Sequence, residues 1–329
     1  ESLLIGAFVV VFYTFLGGFS AVALTDLIQG TMMFFTVLYV PVAAAIALGG
    51  PAPTMDILAK EGPDFFSFCP DSTGMGALAI MMVSSLGWGL GYFGQPHILV
   101  KFMAISDAKD LKKSTHIAMT WVILSLAFAI AMGVIGKAYL TTPLENANAE
   151  RVFVLMAESL SAPFITGIIW SAILAAIMST SSSQLLVTSS AVSRDLFQAF
   201  LCKDASEKML IRVSRISVLL VSCIAVYLGS DPNSYIFSIV SYAWAGFGAC
   251  FGGTVLLSLY WKRMTLKGAY AGVIVGGLTV HIWKQFAWFD LYELVPGFLF
   301  SVIAIVVVSL MDKEPSENIK KTFEKALAL

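Results

Sequence analysis

Residues 163–192, PFITGIIWSAILAAIMSTSSSQLLVTSSAV, decide the class of fold. This run carries no charged residue and exceeds the roughly 17 to 25 residues that an α-helix needs to cross a bilayer. Within it, residues 175–190 contain nine Ser, Thr or Gln side chains among sixteen. An unpartnered polar group in hydrocarbon costs several kcal/mol, so these side chains must have partners in the protein or in a ligand.

The composition of the whole chain agrees with this interpretation. Hydrophobic residues make up 58% and charged residues 12%, where a soluble domain carries about 25% charged residues; the mean hydropathy is +0.85. We therefore predict an all-α, polytopic membrane protein. Nine segments are long enough to span: 2–18, 26–48, 76–103, 117–138, 163–192, 211–229, 234–260, 268–287 and 295–311.

The distribution of basic residues predicts the orientation. Nine spans place alternate loops on opposite sides, and one side then holds residues 101–116, 194–215, 262–267 and the tail from Asp312. That side carries sixteen of the twenty Lys and Arg residues. The positive-inside rule assigns it, with the C-terminus, to the cytoplasm. We expect a transmembrane domain over residues 1–311 and a short cytoplasmic tail over 312–329.

Several functional classes are disfavoured. The net charge of −1, without a basic face, argues against nucleic-acid binding. The four cysteines show no CxxC spacing and the three histidines are scattered, which argues against a disulfide framework or a structural zinc site. We find no phosphate loop, HExxH motif or nucleophile–base pair in plausible context, so we do not expect an enzyme.

The hydroxyl-rich segment is the first candidate site. On a helix, Ala176, Ser179 and Thr180 share a face, and Ser183 continues it. Two hydroxyls with a backbone carbonyl left free at Ala176 would offer neutral oxygen ligands to a hard cation such as sodium. Alternatively, the hydroxyls bond back to carbonyls one turn earlier or let helices pack closely.

The third predicted span contains the second candidate site, GWGLGYFGQPHI at residues 87–98. Its four glycines and one proline weaken a helix, and an interrupted span indicates a transporter's substrate site. Trp88, Tyr92 and Pro96 recur every four residues and would share one face of a helix. Such a wall suits a small ring, although tight packing would give the same pattern.

Two further segments depart from the apolar pattern. In GGFSAVALTDLIQG, residues 17–30, Asp26 followed by Gln29 fits a capping box for the second span. The alternative is an acid at the inner mouth of a cation path, since intramembrane carboxylates are usually functional. SYAWAGFGACFGG, residues 241–253, is glycine-rich and is a weaker candidate for a flexible span.

Long stretches of the sequence resemble the sodium/solute symporter family, and its proline-transporting branch in particular. The stretches are FYTFLGGFSAVALTDLIQ, GWGLGYFGQPHILVKFMA, SAILAAIMST, SSAVSRDLFQAF and VSYAWAGFGACFG, and the resemblance covers essentially all 329 residues. It implies the inverted-repeat fold of the leucine transporter. It also implies thirteen spans, of which these nine would be the last, so we expect an N-terminal part of a longer chain to precede Glu1.

The resemblance also implies an activity and residues for it. The activity is sodium-coupled import of L-proline by alternating access, with Na⁺ as the co-transported ion, in the inner cell membrane. Trp88, Tyr92 and Pro96 match the substrate positions. Ala176, Ser179 and Thr180 match the family's sodium ligands, while Asp26, Ser182 and Ser183 resemble a second sodium site or an exit path.

Other interpretations stay open at this point. The solute could be another small molecule such as pantothenate, or the chain could be a symporter-like sensor domain. It could also be a channel or a packing protein, in which case the hydroxyls would serve helix contacts alone.

Overall fold

The computed structural model describes residues 2–62, 64–67, 74–144, 146–230 and 236–327, and all regular structure in these ranges is helical. The α-helices are α1 (Ser2–Ala47), α2 (Pro51–Leu58), α3 (Met75–Gly87), α4 (Pro96–Met103), α5 (Asp110–Tyr139), α6 (Val152–Leu160), α7 (Pro163–Ser190), α8 (Glu207–Leu228), α9 (Ile236–Phe247), α10 (Gly253–Tyr260), α11 (Leu266–Phe286), α12 (Leu294–Met311) and α13 (Glu317–Leu327). The predicted all-α fold class is confirmed.

The chain divides into two compact units, each built from two sequence segments. The first unit comprises Glu1–Phe65 and Lys112–Ser234, and the second comprises Phe66–Leu111 and Tyr235–Leu329. In the first unit α1 packs along α7, and in the second α11 packs along α12. The hydroxyl-rich segment therefore belongs to the first unit and the Gly/Pro-rich third span to the second.

Seven helical segments among the described residues are long and apolar enough to cross a membrane, where we predicted nine spans. They are Val22–Ala47, Met75–Gly94, Asp110–Tyr139, Pro163–Leu201, Glu207–Leu228, Ile236–Tyr260 and Leu294–Met311. The other two predicted spans correspond to the shorter apolar segment Ile5–Phe15 and to α11, which has 21 residues. Large apolar side chains such as Phe8, Ile130 and Phe164 are exposed, as lipid contact requires.

The boundary between the first two predicted spans differs from the expectation. We predicted a loop there, but α1 is assigned as one helix of 46 residues. At 1.5 Å per residue a straight helix of that length would measure about 69 Å, more than twice the hydrocarbon thickness of about 30 Å. The contacts of α1 with α7, described below, show that it bends.

Small residues allow the helices of the second unit to approach closely. Gly268, Gly272 and Gly276 recur every four residues on α11, and a Cβ on Gly272 would overlap the side chain of Ile305 on α12. Such stripes of small residues are the usual means of packing helices in membranes, where apolar burial contributes little. The buried core beside them includes Ala249, Val280, Leu294 and Phe298.

The predicted tail contains a helix, α13, and three contacts join the tail to residues 262–267. Lys267 Nζ lies 2.8 Å from Asp312 Oδ1, and Arg263 Nη2 donates to the Asp312 carbonyl at 2.8 Å. Lys262 forms an ion pair with Glu324 of α13. The hydrogen bond from Lys267 holds the pKa of the Asp312 carboxyl below its ordinary value, with a further contribution from its backbone contact to Lys313.

Candidate substrate and cation sites

In the first unit, a carboxylate from α1 meets the hydroxyl stripe of α7. Ser179 Oγ donates to Asp26 Oδ1 at 2.5 Å, and Ser183 Oγ donates to Asp26 Oδ2 at 3.4 Å. The two serines are four residues apart and therefore lie on one face of α7, one turn above the other. The three side chains form an oxygen-rich cluster between two membrane helices, α1 and α7.

The bend in α1 brings Asp26 to this place. Tyr13 Oη donates to the carbonyl of Met178 at 2.8 Å, immediately before Ser179 on α7. A straight helix would place the Cα atoms of Tyr13 and Asp26 about 20 Å apart. The two side chains nevertheless reach neighbouring residues of α7, Met178 and Ser179, which a separation that large does not allow in practice. The helix axis must therefore change direction between them.

The capping interpretation of Asp26 is wrong. A capping residue must stand at a helix N-terminus, where backbone N–H groups are free, but Asp26 lies inside the continuous helix α1. Its carboxylate instead binds hydroxyls more than 150 residues away in sequence. This contact is compatible with the second interpretation, an acid on a cation path, which stays a prediction.

The remaining hydroxyl-rich residues have different environments. Ser182 is fully buried and its Oγ donates to the Ser179 carbonyl at 3.1 Å, which is the backbone bonding that we weighed as the alternative. Ala176 is half-buried and Thr180 is exposed on α7. The helix is regular through Ala176, so no break frees its carbonyl as we had expected, and that oxygen could bind a cation only with its second lone pair.

In the second unit, the third predicted span is interrupted as its glycines and proline indicate. After α3 ends at Gly87, residues Trp88–Gly94 form a 3₁₀ helix. Gln95 is extended, with φ −84° and ψ 110°, and Pro96 is the first residue of α4. A proline needs no N–H partner at that position, so it restarts the helix without cost.

The predicted common face of Trp88, Tyr92 and Pro96 is wrong because the segment is not α-helical. A 3₁₀ helix turns 120° per residue, so positions four apart no longer align. Trp88 and Tyr92 are nevertheless linked through Trp244 of α9. The Trp88 and Trp244 rings stack at 5.3 Å and 12°, and Tyr92 meets Trp244 edge-on at 4.9 Å and 84°. Half-buried Pro96 lies beyond Gln95, at the start of α4.

The glycine-rich segment of α9 and α10 packs against the interrupted span. Between these helices, Gly248–Gly252 forms a π-helical turn. A Cβ on Gly248 would lie 2.7 Å from the Cα of Gly91, and one on Gly94 would lie 2.9 Å from the Cα of Gly248. We predicted a flexible span from these glycines, but they serve close packing of two irregular backbones. π-Turns of this kind frequently occur at functional sites.

Trp244 and Gln95 are the residues of this region that sequence reasoning missed. Gln95, only 3% exposed, donates from Nε2 to the carbonyls of Gly91 and Trp244, both at 3.3 Å. The sequence did offer a signal for Gln95, since a glutamine in an apolar span next to a helix-breaking proline needs hydrogen-bond partners. The contact of Trp244 with Trp88 was not visible in the sequence, because 156 residues separate the two.

The sequence matches one protein family and is similar to proline transporters of known name. Residues 1–276 match the family described as "Sodium:solute symporter family". The chain is 47% identical over 98% of its length to the sodium/proline symporter of Escherichia coli (strain K12), and 46% identical over 96% to the osmoregulated proline transporter OpuE of Bacillus subtilis (strain 168). It spans 64% of the length of each of these relatives.

A solved structure shares the fold. The chain matches a Na⁺-coupled sialic acid symporter, solved in a substrate-bound outward-open state, with a TM-score of 0.76. The sequences are 19% identical, and the match covers 96% of this chain and 67% of that one. The predicted fold of a sodium-coupled symporter is therefore confirmed, and the chain is a multi-pass membrane protein.

Proposed function

The chain belongs to the sodium:solute symporter family, and from this premise we propose that the protein imports L-proline together with sodium ions. The observation that carries the proposal is the cluster of Asp26, Ser179 and Ser183, which brings together, inside the membrane-spanning part, oxygens of the kind that bind hard cations. The sequence similarity to proteins named as proline transporters supports the solute. The role is transport by alternating access, without covalent chemistry on the solute.

The proposed sodium ligands are Ala176, Ser179 and Thr180, with Asp26, Ser182 and Ser183 forming a second site or an exit path. A hydroxyl that donates its proton to a carboxylate retains lone pairs that can bind a cation. Ser179 can therefore keep its bond to Asp26 and still serve as a ligand. Neutral oxygens bind sodium without the tight hold of a carboxylate cage, which favours release on the side where sodium is scarce.

The proposed substrate residues are Trp88, Tyr92 and Pro96. The ring of proline is apolar and flat enough to lie against aromatic side chains, while its ammonium and carboxylate groups need polar partners. The two rings offer the apolar surface, and we assign the polar contacts to the 3₁₀ segment that carries them, because transporters commonly bind solutes at interrupted spans. An interior-negative potential contributes about 2.3 kcal/mol per sodium ion per 100 mV, equivalent to roughly 50-fold accumulation of solute.

The proposed location is the inner cell membrane with the C-terminus in the cytoplasm. Sixteen of the twenty basic residues support this orientation. In this arrangement residues 1–311 form the transmembrane transporter domain and residues 312–329 the cytoplasmic tail that includes α13.

The test is uptake of labelled L-proline by membrane vesicles that contain the natural full-length protein, with a sodium gradient and then with potassium in its place. Thr180→Ala should raise the sodium concentration for half-maximal uptake about tenfold, since one neutral ligand is worth about 1 kcal/mol or slightly more. Thr188→Ala, an exposed threonine two turns further along α7, is the matched control and should leave this value unchanged.

Each outcome decides a separate part of the proposal. Sodium-driven proline uptake that Thr180→Ala weakens supports the ion site and the solute together. Sodium-driven uptake of a different solute, with proline inactive, would retain the ion site and reject proline. Proline uptake that is equal in sodium and potassium would mean that the hydroxyl stripe serves helix packing alone.

A further inference from the structure

Trp244 of α9 contacts both rings that are proposed to line the substrate site. Its indole stacks on Trp88 with centroids 5.3 Å apart, and it receives the edge of Tyr92 at 4.9 Å. Trp88 and Tyr92 are thus held roughly at right angles to each other through one intermediate ring. Aromatic pairs in these two geometries each add to the stability of an arrangement beyond the area that they bury.

Trp244 also fixes the backbone that carries these rings. Its Nε1–H donates to the Trp88 carbonyl at 3.0 Å, at the first residue of the 3₁₀ segment. A Cβ on Gly91 would overlap the indole, so the ring sits against the backbone in the space that the missing side chain leaves. The indole therefore occupies the gap between the positions of Trp88 and Tyr92 on the 3₁₀ helix.

The other end of the 3₁₀ segment is joined to the same residue. Gln95 Nε2 donates to the carbonyls of Gly91 and Trp244, and this amide is almost completely buried. Trp244 thus meets the interrupted span through its side chain at Trp88 and through its carbonyl at Gln95. These contacts at both ends restrain a glycine-rich segment that has little helical propensity of its own.

We propose that Trp244 is a positioning residue that determines which ring size the transporter accepts. Phe237 and Tyr292 also stack on Trp88, with centroids 5.8 and 6.0 Å away, but among these rings it is Trp244 that also contacts Tyr92 and so links its position to that of Trp88. These two linked rings form the wall against which a cyclic imino acid lies. This inference rests on the proposed function, since it assigns the solute to Trp88 and Tyr92. Trp244 itself acts through them, by the stacked contact that it makes with Trp88 and the edge contact that it makes with Tyr92.

The replacement Trp244→Phe tests the inference. Phenylalanine keeps an aromatic ring but removes the N–H bond to the Trp88 carbonyl and the larger ring over Gly91. We expect the apparent KM for proline to rise about tenfold, the combined effect of one hydrogen bond and a weakened stack. Gly91→Ala, which would displace the same indole from the other side, should change the KM in the same direction.

The decisive measurement compares imino acids with four-, five- and six-membered rings in proteoliposomes that contain the full-length protein. The ratio of kcat/KM for the five-membered ring to that for the six-membered ring should fall at least about threefold in both variants. The apparent affinity for sodium should change less than the KM for proline. KM and the selectivity ratio do not depend on how much folded protein the membrane contains.

Trp121→Phe is the matched control, because Trp121 stacks on Phe34 with centroids 6.5 Å apart in the first unit. It should change neither quantity. An unchanged selectivity ratio in Trp244→Phe and Gly91→Ala, with only a lower maximal rate, would overturn the positioning role while leaving proline transport intact. Absence of proline uptake by the natural protein would instead overturn the proposed function, and the positioning role with it.

Discussion

The replacement Asp26→Asn tests whether the intramembrane carboxylate acts on the transported ion. Asparagine has nearly the same shape and its carbonyl oxygen can still accept from Ser179, so the change removes mainly the negative charge. Ser179 Oγ is 2.5 Å from Asp26 Oδ1. A cation bound to that hydroxyl at about 2.4 Å, as hard cations bind oxygen, would lie within about 5 Å of the carboxylate.

The expected magnitude follows from this distance. At an effective dielectric constant of about 20, two unit charges about 5 Å apart attract by about 3 kcal/mol. Asp26 is only half-buried, and water screens such an interaction, so about 1 to 2 kcal/mol should remain. We therefore expect the sodium concentration for half-maximal proline uptake to rise roughly 5- to 30-fold in Asp26→Asn.

The assay is initial-rate proline uptake against sodium concentration, in vesicles whose membrane potential is held constant. Asp56→Asn, the same change at an exposed position on α2, is the control and should follow the natural protein. If Asp26→Asn has the sodium dependence of the natural protein, the carboxylate does not act on the ion. The bonds from Ser179 and Ser183 would then serve only to join α1 to α7.

Two predictions concern stability and the tail. Gly272→Ala should lower the temperature of thermal unfolding by several degrees, because the new Cβ would overlap Ile305. Gly246→Ala is the control and should not lower it, because the space around Gly246 is open. Equal unfolding temperatures for the two variants would refute this packing argument. The lowered pKa of Asp312 means that its ion pair with Lys267 is fully formed at every pH above the ordinary aspartate pKa, including neutral pH. The ion pair should be lost only as the pH falls through the lowered pKa. Proteolysis of α13 should accelerate only in that acidic window, and acceleration already near pH 6 would contradict the assignment.

The sequence predicted the helical class and most of the membrane spans because both depend on the length and polarity of local segments. The interruption at Trp88–Gly94 was also predictable, since Gly and Pro act on the backbone where they stand. The division into the first two spans was not, because we placed their boundary at residues 19–25 while the structure has one helix, α1, over Ser2–Ala47. Helix propensity distinguishes poorly between a bent helix and a short turn.

The candidate cation site shows where local reasoning ends. A sequence segment with Asp26 and Gln29 fits a capping box, and nothing local contradicts it. In the structure Asp26 accepts from two serines, 153 and 157 residues away, which only the packing of α1 on α7 brings into reach. The hydroxyl stripe was visible from its spacing alone, but its division between carboxylate and backbone partners was not.

The same limit explains why the glycines of α9 and α10 were misjudged, and it also indicates what they accomplish. A glycine in a sequence signals either freedom of the backbone or room for a neighbour, and the two cannot be separated until the neighbour is known. Here Gly248 faces Gly91, and Gly94 faces Gly248, so two backbones without regular α-helical bonding approach within contact distance. A Cβ at Gly94 or Gly248 would push the two backbones apart, so their close approach depends on glycine at both positions. The bond from Trp244 to the Trp88 carbonyl and the bond from Gln95 to the Trp244 carbonyl join the same two segments, so these glycines admit a neighbour rather than free the backbone.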